Sequence, residues 1–147
     1  MSHAIDDFLA LPAWRTSSLE RLIPLAEAAR LTRHGPDEIV FRQFHPADEF
    51  SLLLSGAVAH ETSEDLEADA WPMGQVDWRW AALGWSCFLP PNRNGTTART
   101  LSAVERLSWS LEDLSRIFYA DPGLSIQFLG LVLDSMRRQF ECLRAER

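Results

Sequence analysis

Apolar positions along this chain change period twice, from helical to alternating and back. Ile5, Phe8 and Leu9 share a side of a 3.6-residue repeat and Pro12 follows, so residues 4–11 read as a short helix. Ser17 with Glu20 three residues on has the form of a capping box for a second helix over residues 18–29. Pro24 interrupts that run and predicts either a kink or a late start there. The period then falls to two. Glu38-Ile39-Val40-Phe41-Arg42 and Phe50-Ser51-Leu52-Leu53-Leu54-Ser55 read as short strands, bounded by turns at His34-Gly35-Pro36 and His45-Pro46. Gly56 closes the second, and Ala57-Val58-Ala59-His60 continues as another strand. Trp78 and Trp80 share one face if their stretch is a strand. Residues 98–110 alternate weakly and read as one or two strands. From Leu111 the helical period returns: Leu111, Leu114, Ile117 and Phe118 form one face, and Asp121-Pro122-Gly123 breaks it. A long final helix then runs to about residue 144.

Helices, six to eight short strands, then helices: that order predicts an α+β fold around a small closed sheet. The 147 residues suit a single domain over 1–147, with helices at about 4–30, a β-rich part at about 31–110 and C-terminal helices at about 111–145. The last helix carries a second message. Ile126, Leu129, Leu133, Met136, Phe140 and Leu143 are spaced 3, 4, 3, 4, 3, which is a heptad seam. Leu124, Phe128 and Leu131 lie on another face. Either one broad face packs wholly within the chain, or the seam meets a second copy.

Charge narrows the function classes. The formal net charge is −7, the pI is near 5.0 and every basic residue is an arginine, which argues against a nucleic-acid surface. No apolar run reaches the length of a membrane span and no basic-then-apolar leader opens the chain, so a cytoplasmic protein with no membrane partner is expected. Cys87 and Cys142 form no metal-ligand or CxxC spacing, and Cys87, with no basic neighbour in sequence, reads as an inert buried thiol. Residues 61–77 hold six carboxylates and no base, which favours an exposed hairpin or loop able to meet a basic partner. His34, His45 and His60 make no HxH or HxxE pattern and read as turn and surface residues, so no metal site is expected. No Ser-His-Asp order, paired carboxylates or Walker loop is visible, so no catalytic residue is assigned and the protein is expected not to be an enzyme.

The stretch from Leu83 to Arg99 has the layout of a phosphate-cradling loop: a glycine turn at Gly84, Pro90-Pro91, then Thr96-Thr97 leading into a β-rich run. With Ile39-Val40-Phe41-Arg42, Phe50-Ser51-Leu52-Leu53-Leu54-Ser55-Gly56-Ala57-Val58 and Leu83-Gly84-Trp85, the chain resembles the cyclic-nucleotide-binding domain of the Crp/Fnr family over residues 18–145. The resemblance implies a cyclic-nucleotide-binding-type β-roll, a double-stranded jelly-roll-like barrel, flanked by N-terminal helices and a long C-terminal helix. It also implies a homodimer through the last helix. The family's helix-turn-helix would need residues beyond 147, so direct nucleic-acid binding is not expected.

In that family a Gly-Glu pair offers its glutamate to the ribose hydroxyl, and an arginine ahead of a Ser/Thr-Ala pair neutralises the cyclic phosphate. Here Gly84 matches the glycine, Trp85 stands in the glutamate position, and the arginine position falls on Asn94 or Gly95. Gly84, Trp85, Ser86, Arg93, Thr96, Thr97 and Ala98 are the candidate ligand-binding residues that the resemblance implies. Trp85 either stacks on a flat ligand or plugs the pocket, and Arg93 is either an anion ligand or a solvated loop residue. A guanidinium–phosphate contact at about 4 Å is worth roughly 4 kcal/mol at an effective dielectric near 20. Its loss, after discounting, costs on the order of 10²–10³ in affinity. The expectation is a non-enzymatic sensor or regulatory module with impaired cAMP or cGMP binding, acting through another small anionic ligand or a protein partner. The alternative is a working cyclic-nucleotide receptor that uses Arg93 for the phosphate.

Overall fold

The computed structural model describes residues 3–64 and 71–145, the side chains of residues 71 and 72 excepted. Helix α1 (His3–Leu9), a single 3-10 turn (Pro12–Trp14) and α2 (Leu19–Ala28) precede eight strands. These are β1 (Arg30–His34), β2 (Ile39–Phe41), β3 (Glu49–Ser55), β4 (Val58–Thr62), β5 (Trp71–Val76), β6 (Ala82–Leu83), β7 (Thr97–Thr100) and β8 (Val104–Ser110). Helices α3 (Leu111–Ala120) and α4 (Pro122–Ala145) end the chain. The strands form two antiparallel four-stranded sheets, in the orders β1-β8-β3-β6 and β2-β7-β4-β5. This is a roll of two stacked sheets with a long terminal helix, and it is not closed into one barrel.

The first sheet is buried on both faces, and its sequence shows why. On β3, Phe50 and Leu52 point to the helices while Leu53 points to the second sheet, so the strand reads as an almost unbroken apolar run. The larger core lies between this sheet and the helices. There Phe128 of α4 meets Phe50, Trp109, Phe118 and Phe88 with ring centroids 5.2 to 6.2 Å apart. The smaller core, Leu53, Val58, Val76, Leu83, Ala98 and Val104, lies between the sheets. Trp109 fixes α2 on the roll by donating its indole N–H to the Leu25 carbonyl at 2.8 Å.

Three local expectations are corrected, and one strand is added. The cap of α2 is Ser18, whose hydroxyl accepts from the Arg21 N–H, while the Ser17 hydroxyl reaches across to Gln127 at 2.9 Å. Helix α2 runs through Pro24, which is exposed, so the carbonyl left without a donor can turn to water. Strand β1 follows α2 directly, over residues the sequence pattern left unassigned, and the chain turns just beyond it at residues 36–37, beside the expected turn at His34-Gly35-Pro36; its burial is weak because it is an edge strand. Trp78 and Trp80 lie in a turn and not on a strand: Trp80 has φ of +73° and its N–H donates to the Leu53 carbonyl at 2.6 Å. Trp78 packs toward the core between the sheets and Trp80 toward the helical core. In the acidic stretch β4 and β5 pair as a hairpin; Asp65, Glu67 and Asp69 fall outside the described residues.

Candidate ligand-binding site

The loop after β6 begins with Gly84 at φ +87°, a left-handed conformation that favours glycine. A Cβ there would sit 2.6 Å from the Glu49 carbonyl oxygen, so close approach of the two backbones also demands glycine. The chain then makes a 3-10 turn (Trp85–Phe88), passes a cis Pro90–Pro91 bond and returns along residues 44–47. Asn94 ties that return down: its amide N–H donates to the His45 carbonyl, its carbonyl accepts from Phe44, and its side chain donates to Arg42.

Beneath this loop lies a pocket of about 140 Å³. Gly84, Trp85 and Ser86 form one wall, Gly95 and Thr96 a second. Phe41 from β2, His60 from β4, Met73 from β5 and Gln139 from α4 complete it. Four of the seven cassette residues singled out in the sequence therefore meet here: Gly84, Trp85, Ser86 and Thr96. The other three stand elsewhere. Ala98 is wholly buried between the sheets, the Thr97 hydroxyl accepts from the Gln43 N–H at 3.0 Å, and Arg93 is exposed and donates to the Phe44 carbonyl at 2.9 Å.

Among the described residues, no formally charged side chain lines the pocket. Arg99, the nearest arginine along β7, points to the outer face, where it pairs with Glu61 at 3.2 Å and Asp37 at 3.3 Å. Buried Arg106 is held by Glu49 and by His34 Nε2 on the other sheet. Trp85 is half-buried, lines the pocket and also packs on the helical core.

His60 is the group that sequence reasoning missed. It was read as a surface residue, but its ring lies under Phe41 with Nδ1 2.8 Å from the Thr96 hydroxyl. Its Nε2 is sealed from solvent and has no hydrogen-bond partner among the described residues. Burial holds its pKa below the ordinary imidazole value, so the ring is neutral at pH 7. The signal was available: His60 is two residues from buried Val58 on one strand, and alternation puts both on the inner face. Gln139 could not be found that way, because its place depends on where α4 crosses the roll; it donates to the Ala82 carbonyl at 3.2 Å. Cys87, just beyond the pocket, is buried and its thiol is pushed up to about 12 by desolvation, which makes it unreactive.

Among solved structures the chain is similar to a protein from Geobacter metallireducens described as cyclic nucleotide-binding. The identity is 17% and the TM-score 0.77, over 93% of this chain and 98% of that one. It is also similar to the regulatory domain of Toxoplasma gondii PKA crystallised with cAMP, at 11% identity and a TM-score of 0.69, over 85% and 46% of the two chains. The third is the c-di-GMP-responsive global regulator CLP of Xanthomonas campestris, at 17% and 0.70, over 87% and 62%. The chain thus spans nearly all of the first protein but less than two thirds of the other two. No family model matches the sequence, and no curated protein is significantly similar to it. At these identities the likeness shows the fold: the chain has the architecture of cyclic-nucleotide-binding domains and Crp-type regulators.

Proposed function

We propose that this protein is a non-enzymatic, cytoplasmic regulatory module whose roll no longer takes ordinary cAMP or cGMP. It acts as a homodimer, through another small ligand or a protein partner. The observation that carries this reading is the pocket of about 140 Å³ under Gly84, Trp85 and Ser86, whose described lining residues carry no formal charge. Sites for drug-sized ligands usually measure about 300–1,000 Å³, so a cyclic nucleotide would have to displace Trp85 or Met73 to enter. Its phosphate would meet Thr96 and backbone N–H groups without a guanidinium, forfeiting up to roughly 4 kcal/mol. Arg93, the side chain on which a working receptor would depend, is outside the pocket and already bonded to Phe44.

The stripe on α4 supports the homodimer. Ile126, Leu133 and Phe140 are exposed, and Leu129 borders them. Met136 is half-buried against the helical core, and Leu143 lies against Gly74, where a Cβ would come within 2.7 Å of its Cδ2. Five of the six seam residues are thus exposed, Leu143 with one side against Gly74, and four of them, Ile126, Leu129, Leu133 and Phe140, form a stripe that can meet a second copy.

Isothermal calorimetry with cAMP and with cGMP tests the ligand part, on wild type and Arg93→Ala. No binding at millimolar nucleotide is expected. Micromolar binding to wild type would overturn the reading, and its loss in Arg93→Ala would establish the receptor alternative.

A further inference from the structure

A larger cavity lies on the opposite flank of α4 from the exposed stripe. This groove, of about 500 Å³, runs between residues 11–13, the Trp78–Trp80 turn and α4. Its volume falls within the range typical of sites for small organic ligands. The walls are mostly apolar: Trp78 and Trp80 on one side, Leu11 and Leu131 on the others.

The polar groups in it are nearly all committed. Gln127 accepts from Ser17, the Ser135 hydroxyl accepts from the Ala82 N–H, Arg79 is paired with Asp7 at 2.7 Å and Asp134 with Arg137 at 2.8 Å. Arg138 is the exception. Its guanidinium lies 4.6 Å over the Trp78 ring, and it has no ion pair or hydrogen bond among the described residues. A guanidinium stacked on an indole keeps its in-plane N–H groups pointing outward, set for a bidentate contact with a carboxylate.

Gly130 supplies an independent observation. It sits within the 24-residue α4, where glycine disfavours the helix, yet nothing lies within 4 Å of the position its Cβ would take. Packing inside the chain does not require a glycine there. Gly130 is exposed where it lines the groove, and its effect is to leave that side of the groove open.

We propose that this groove is a binding site for a small planar aromatic carboxylate. The ring system lies against Leu131 and the indole edges of the Trp78–Trp80 turn, beside Gly130, and the carboxylate pairs with Arg138. The choice of ligand class follows from complementarity: mostly apolar walls edged by two indoles, and a single uncommitted charge among the described lining residues, which is positive. The site is separate from the roll pocket and does not rest on what that pocket binds.

The test is calorimetry with 2-naphthoate and its uncharged counterpart 2-naphthamide, on wild type, Arg138→Gln and Gly130→Leu. Gly130 and Arg138 are both exposed, so neither change removes a core side chain, and circular dichroism checks the fold of each variant. Wild type binds naphthoate at one per chain. Arg138→Gln and the naphthamide each weaken binding at least about tenfold, and Gly130→Leu abolishes it. Absence of binding at millimolar naphthoate overturns the proposal, as does binding left unchanged by Arg138→Gln or by Gly130→Leu.

Discussion

Replacing Leu133 by glutamate probes the exposed stripe of α4 most directly. Ile126 is 73% exposed, Leu133 63%, Phe140 62% and Leu129 38%. Fully burying one such side chain is worth about 2 kcal/mol. Scaled by these exposures, two helices meeting along the stripe gain roughly 9 kcal/mol. Association costs at least about 4 kcal/mol in lost freedom, which leaves at most about 5 kcal/mol and a dissociation constant no tighter than about 10⁻⁴ M from these four positions. Leu133→Glu removes two leucine contributions and sets two carboxylates in one seam, raising that constant at least about a hundredfold. The monomer barely feels the change, since the side chain is mostly solvated already. Sedimentation equilibrium up to about millimolar protein reads the difference. Wild type that stays monomeric throughout, or a variant that dimerises equally well, would refute the argument.

Three further outcomes follow from the geometry around the roll pocket. Gly84→Ala forces an L residue into φ +87° with its Cβ against the Glu49 carbonyl, and should cost about 2–4 kcal/mol in urea denaturation, while Ser86→Ala in the same loop stays near wild type. With His60 held below its unfolded pKa of about 6.5, the unfolded chain binds the proton first as pH falls. Stability should therefore drop below about pH 6.5, and urea midpoints at pH 7 and pH 5.5 should differ less in His60→Gln than in wild type. Thiol titration near pH 8 should count one reactive cysteine per native chain, the exposed Cys142, and two in denaturant, because a buried thiol at about 12 is thiolate in only about one molecule in 10⁴. Two thiols reacting at equal rates in the native protein would contradict the burial of Cys87.

Period and punctuation alone determined most of the architecture. The 3.6-residue repeats around Phe8, Leu114 and Phe128, the alternation through Phe50 and Val58, and the breaks at Gly56, Gly84 and Pro122 are local properties of the chain, and helices and strands follow them. Even the free stripe on α4 was legible, because heptad spacing survives whatever the rest of the chain does. Tertiary structure decided what the pocket contains. Whether Arg93 faces a ligand or the Phe44 carbonyl depends on how residues 92–94 pair with residues 44–47, a contact across nearly fifty positions. His60, Thr96, Trp85 and Gln139 meet only because two sheets stack and a helix crosses them. The turn that stands Trp78 and Trp80 beside α4, and the stacking of Arg138 there, belong to the same class of fact. Spacing sets the local conformation of a segment; which distant side chains share a cavity, and which charges are left unpaired in it, is settled by packing and desolvation once the segments come together.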